Sequence, residues 1–182
     1  MLTNNWYKSL GAAMTFVSNT VKFTAYNGTT TNTISNSAAL VSLKFGDNNS
    51  STPYLGNVLT TLPQSNNAGV IFGNGDTLPT LEDYKLSGDI VSGFTYSAAI
   101  SKASTDNGIS ITARYTITNT SSSEIVIKEI GVVNKLMSSN YSGLQYIGLL
   151  ERTVLDTPVT IPAGGVGQVV YTITFNLPTA TA

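Results

Sequence analysis

The sequence contains no cysteine, which removes disulfides, thiolate metal sites and cysteine nucleophiles together. It contains no histidine either, so the commonest general base, proton shuttle and metal ligand is missing, and with it the usual Ser-His-Asp and zinc-hydrolase mechanisms. Charge is scarce: Lys and Arg number 9 against 10 Asp and Glu, a net charge of -1 with 10% of residues charged. No nucleic-acid partner is expected, because phosphate neutralisation needs a basic face. No apolar run approaches the roughly 18 residues of a membrane helix. Met1 to Met14 carries one lysine and lacks the continuous apolar core of a secretion signal. The chain is therefore expected to be made in a cytoplasm and not to insert into a membrane.

What the sequence has instead is Ser, Thr and Asn from end to end. A surface so poor in charge suits a protein largely covered by neighbours. The most informative stretch is Ile109 to Asn119, where Ile109, Ile111, Ala113, Tyr115 and Ile117 alternate with Ser110, Thr112, Arg114, Thr116 and Thr118. That period of two predicts a strand with one core face and one polar face, at the centre of a sheet. Asn119 to Ser123 reads as a turn and Glu124 to Val133 as a second strand, which together make a hairpin candidate. Similar reasoning predicts strands at Val21 to Tyr26, Gly69 to Gly73, from Gly93 onward, at Leu144 to Leu155, at Val159 to Ile161, and at Val169 to Leu177. Asn27-Gly28, Asp106-Asn107-Gly108 and Pro162 to Gly165 are turn signals between them.

Helix is expected in two short places. Thr3 or Asn4 can cap a helix over Asn5 to Met14, and Pro79 to Leu86 reads as one helical turn capped near Thr80. The fold class expected is all-β, an antiparallel β-sandwich of jelly-roll or immunoglobulin-like type. The expected organisation is an N-terminal arm or helix over residues 1–20, then one sandwich domain over 21–182 with a polar, loop-rich insertion at about 27–67. Trp6, Tyr7 and Leu10 are the candidate interface residues: the segment either reaches a neighbour as an arm or closes one end of the sandwich as a helix.

Candidate chemistry is thin. Asp76, Glu82 and Asp83 are close enough in sequence to suggest a carboxylate pair of the kind that hydrolyses glycosides, but they read more simply as a turn residue and the start of a helical turn. Gly46 to Ser50 places oxygen ligands at alternate positions as calcium loops do, without the bidentate acid that completes one. Gly164-Gly165-Val166-Gly167 joins two strands and reads as a hairpin turn instead of a phosphate cradle. Tyr54, Tyr84 and Tyr141, with Trp6, are candidates for a sugar-stacking platform if they share a face, and read more simply as core and interface anchors. No catalytic residue, cofactor or metal is expected.

Three segments carry a resemblance. Glu129-Ile130-Gly131-Val132, Leu149 to Val159 with its Leu150-Glu151-Arg152-Thr153-Val154-Leu155, and Gly167 to Phe175 resemble motifs of small virion structural proteins of tailed bacteriophages and prophages. Gly73 to Leu86, with its turn and Pro79 to Leu86, is similar to an upstream element of the same proteins, so that the likeness covers about residues 70–177. The family has no catalytic residues to carry over. The resemblance implies a noncatalytic building block of the virion, at the tail, neck, fibre base or capsid surface. Its expected partners are other virion proteins and further copies of itself in symmetric assembly. The alternative is a receptor- or glycan-binding module of the phage surface that meets a host glycan through Tyr54 and Tyr141.

Overall fold

The computed structural model describes residues 1–3, 7, 23–28, 30–31, 69–105, 108–137 and 145–176. Among the described residues eight strands run in chain order: β1 (Phe23–Thr24), β2 (Thr30–Thr31), β3 (Gly69–Gly73), β4 (Phe94–Thr105), β5 (Gly108–Asn119), β6 (Ile125–Met137), β7 (Gln145–Ile161) and β8 (Val166–Asn176). They form a small β1-β2 sheet and two three-stranded sheets ordered β3-β6-β7 and β4-β5-β8. The described chain is thus all-β and antiparallel, as the alternating pattern of the sequence predicts. It divides into two compact units, one of Met1–Val91 with Val126–Pro158 and one of Ser92–Ile125 with Val159–Ala182.

In the second unit β5 is the central strand, as its alternation demands. Ile111, Ala113, Tyr115 and Ile117 are buried on one face, and Val169 and Tyr171 of β8 lie on the same face, opposite Tyr115 and Ala113. The other face carries Thr112, Arg114 and Thr116; Thr112 bonds Thr172 side chain to side chain at 2.9 Å, and Arg114 Nη1 donates to Gln168 Oε1 at 3.0 Å. β4 and β5 form the tight hairpin, since the register from Phe94↔Asn119 to Thr105↔Gly108 leaves only Asp106 and Asn107 between them.

The hairpin expected between β5 and β6 does not form, because β6 pairs with β3. Asn119 is the reason on the β5 side. Its side chain is buried and its amide donates to the carbonyls of Ser123, Ile161 and Pro162 at 2.8, 3.0 and 3.1 Å, while Oδ1 accepts from Ser121 N–H and Oγ–H at 2.8 and 2.7 Å. This ties the turn to the start of the Pro162–Gly165 turn, where Gly164 holds φ at 68° and Gly165 N–H donates to Pro162 O at 2.8 Å. That turn does join two strands, but β7 and β8 belong to different sheets, so it closes no hairpin.

A second correction concerns β7, one strand of 17 residues where the sequence suggested two. Pro158 interrupts the pattern without breaking the strand: β7 is last in its sheet order, and a residue without an N–H is tolerated on an edge. The chain changes unit at the same residue. The β1-β2 hairpin follows the Asn27-Gly28 signal, with Gly28 at φ 85° and its N–H on Ala25 O at 2.8 Å.

The first unit is built on β3 and β6. All five residues of β3 are buried. Register places Ile71 opposite Gly131 and Gly73 opposite Glu129. Ile71, Val133, Leu149 and Leu86 form one apolar cluster, with Tyr26 packed against it. Residues 1–3 join this sheet: Leu2 bridges Glu151, Thr3 N–H donates to Leu150 O at 2.9 Å, and Arg152 N–H donates to Met1 O at 3.0 Å. Thr3 does not cap a helix with its side chain. Its hydroxyl is buried on the carbonyls of Leu149 and Leu150 at 2.6 and 3.2 Å, while its own carbonyl accepts from Tyr7 N–H at 3.4 Å.

Candidate functional site

Between β3 and β4 the chain makes an excursion from Asn74 to Asp89 whose two ends meet. Asn74 N–H donates to Asp89 O at 3.2 Å, Asp89 N–H donates to Asn74 Oδ1 at 2.8 Å, and Val91 N–H returns to Phe72 O at 2.8 Å. Gly75 and Gly88 touch at this neck. A Cβ on either would fall 2.3 Å from the other's backbone nitrogen, so the closure requires two residues without side chains. Such a compact loop with joined ends has the geometry of an Ω-loop.

Glu129 holds the neck. Its fully buried carboxylate accepts from Gly75 N–H at 3.1 Å and Gly88 N–H at 2.8 Å on Oε1. On Oε2 it accepts from Ser87 N–H and Oγ–H at 3.1 and 3.3 Å and from Arg152 Nε at 2.6 Å. Arg152, 1% exposed, spends its other two nitrogens on the far side of the loop: Nη1 on Asp83 Oδ2 at 2.7 Å and Nη2 on Thr77 O at 2.5 Å. Asp83 completes the chain of bonds by accepting from Thr80 N–H at 3.0 Å and Thr80 Oγ–H at 2.9 Å. One guanidinium therefore ties β7, β6 and the loop together, and its planar fork of donors is what allows three directions at once.

Below the polar lock the loop drops Leu86 into the sheet. Leu86 is 1% exposed and approaches both Gly73 and Gly131: a Cβ on Gly73 would lie 2.7 Å from Leu86 Cδ1, and one on Gly131 would lie 2.9 Å from Leu86 Cδ2. Gly131 is thus a point of close contact between the sheet and the loop. It is not a bulge, because register runs unbroken through it.

The electrostatics follow from this geometry. Burial pushes the Glu129 carboxyl up, but the Arg152 guanidinium and the Gly88 and Ser87 N–H groups outweigh it, and the pKa lies below the ordinary value. Asp83 is also held low, because Thr80 and Arg152 overcome its burial. Arg152 is raised: its burial opposes the charge and its two carboxylates more than offset that. Asp76 is lowered by its bond to Lys128 at 2.9 Å. A glycoside-type general acid needs the opposite, a carboxyl raised toward neutrality. Asp76 is paired with Lys128 and Asp83 with Arg152, so each of these carboxylates has a cation of its own. The helical turn expected at Pro79 to Leu86 is instead a hydrogen-bonded turn from Thr80 to Asp83, with Asp83 N–H on Thr80 O at 3.3 Å.

Tyr7 is exposed. Trp6, Leu10, Tyr54, Tyr141 and the Gly46 to Ser50 loop lie outside the described residues. An open cleft of about 460 Å³ borders the loop, with Asn74, Lys85 and Asp89 on its polar side and Tyr26 on its wall. Tyr26 Oη is engaged by Leu86 N–H at 3.4 Å.

Sequence reasoning read Glu129 and Arg152 only as parts of motifs, and Asp83 as a helix-start residue. A usable signal was present. Glu129 interrupts one apolar run and Arg152 another, in a chain with few charges, and a charge inside a buried strand requires a partner of opposite sign. Comparison with protein families, with characterised proteins and with solved structures finds no match for this chain.

Proposed function

We propose that this chain is a noncatalytic structural component of a bacteriophage virion, acting by symmetric protein–protein assembly. One observation carries the reading. Segments on which the phage resemblance rests, Glu129 to Val132, Leu150 to Leu155 and Pro79 to Leu86, meet in the Glu129–Arg152–Asp83 lock and the Leu86 slot. Glu129, Arg152 and Asp83 are consumed in holding one loop shut, which supports a building role for them over a chemical one. The low charge supports the same reading, since a surface with 10% charged residues gains from being covered. Light scattering on the purified chain, with mass analysis of particles from cells that encode it, provides the test. A defined homo-oligomer and several copies per particle are expected. A chain absent from particles and monomeric at high concentration would overturn the proposal.

A further inference from the structure

Natural sheets protect their edges with lysine, proline, bulges or short strands, because an open edge is a template for another strand. The outer edge of β8 has none of these. Its sequence, Val166-Gly167-Gln168-Val169-Val170-Tyr171-Thr172-Ile173-Thr174-Phe175-Asn176, holds no charged residue and no proline, and it pairs with β5 in unbroken register from Val166 to Asn176. Among the described residues no strand pairs with its other side.

The direction of the free groups follows from the register. Asn119 N–H donates to Gly165 O, so the pairs that exchange bonds fall at every second position from there: Ile117 with Gly167, Tyr115 with Val169, Ala113 with Tyr171. Val166, Gln168, Val170, Thr172, Thr174 and Asn176 consequently aim their N–H and C=O groups away from β5. Val166 and Val170 are also among the exposed large apolar residues.

We propose that β8 pairs antiparallel with β8 of a second copy across a two-fold axis at Tyr171, joining two three-stranded sheets into one of six strands. This deepens the assembly reading and rests on it. Self-pairing sets β8 side chains against β8 side chains only, and none of them is charged, so no like charges meet and no charge is left facing an uncharged strand, whereas the opposite edge strand β4 carries Lys102. Centring on Tyr171 lets all eleven residues pair. It sets Val166 opposite Asn176, Gln168 opposite Thr174 and Val170 opposite Thr172 of the other copy, each pair joined through the outward-facing groups. The contact is isologous and closes after two copies.

Because the chain has no cysteine, engineered thiols report this register without background. V170C and T172C proteins, mixed and oxidised, should give a cross-linked dimer that is reducible and many-fold more abundant than from either protein alone. Thr174→Pro removes an outward N–H without touching the β5 ladder. It should halve the mass seen by light scattering while the circular dichroism melt stays unchanged. If the proline variant does not fold, the cysteine mixture alone decides. An oligomer that persists in Thr174→Pro with no mixed cross-link would overturn the β8 interface and leave the assembly reading standing. A wild-type chain that is monomeric at every concentration would overturn both.

Discussion

Glu129 and Arg152 are worth more as a pair than either is alone. Removing one partner leaves a buried charge without compensation, at a cost of about 3–5 kcal/mol, whereas replacing a buried pair by apolar groups is often close to neutral. Glu129 also serves three backbone N–H groups, so a substitution there must keep an acceptor. Arg152→Met is expected to destabilise by about 3–5 kcal/mol, and Glu129→Gln by less, since the amide oxygen still reaches the neck. The double variant should be more stable than the sum predicts by on the order of 1 kcal/mol or more, read from urea unfolding. Simple additivity would mean that the 2.6 Å bond carries no coupling.

The carboxylates of Glu129 and Asp83 give the lock its pH dependence. Both Glu129 and Asp83 have folded pKa values below their ordinary ones, so their contribution is fully present above the unfolded value of about 4 and is lost as pH falls through the depressed folded values. Arg152 stays charged throughout. Hydrogen exchange at the Gly75, Ser87 and Gly88 amides should therefore be insensitive to the lock between pH 7 and pH 5, beyond the intrinsic change in exchange rate. Protection should fall below about pH 4. Glu129→Gln should flatten that fall, and an unchanged acid limb would show that the stabilisation comes from elsewhere.

At the scale of elements, the Asn74–Asp89 loop and the β3-β6 sheet fit through one side chain. Leu86→Ala should cost about 2–5 kcal/mol, as buried leucine deletions do. Gly131→Ala should cost about 1–3 kcal/mol, because its new methyl meets Leu86, Leu149 and Ile71 at 2.9–3.0 Å. Combined, the two changes should cost less than their sum, since removing Leu86 Cδ2 frees part of the space that the methyl needs. Thermal melts of the four proteins check this, and strict additivity would mean that Leu86 and Gly131 do not share the slot. The strand elements themselves were largely readable. Alternation in β4, β5 and β8 marked their faces correctly, because a strand's side-chain direction is local.

For the whole molecule, the N-terminal residues matter more to the fold than an arm would. Thr3 is buried, its hydroxyl bonds two carbonyls of β7, and the Met1 ammonium contacts Glu151 at 2.6 Å. Deleting Met1 to Ala13 uncovers the edge of β7 from Leu149 to Arg152. The melting midpoint should drop, with a loss of about 1–3 kcal/mol in urea unfolding from the buried groups left without partners. Unchanged stability together with lost oligomerisation would instead make this segment an assembly arm.

The sequence by itself determined the class: no cysteine or histidine chemistry, an all-β antiparallel chain, and turns at Asn27-Gly28 and Pro162 to Gly165. These are matters of composition and of period, which each segment carries alone. Only the tertiary structure decided that β6 turns away from β5 to join β3, that β7 runs through Pro158, and that Glu129, Arg152 and Asp83 meet. A period of two names the face of a strand but not its neighbour, and a charge in an apolar run shows that a partner is needed without saying which. Pairing across 23 residues for Glu129 and 69 for Asp83 depends on how distant segments close on one another, and that is settled only when the loop, the glycine slot and the sheet pack together.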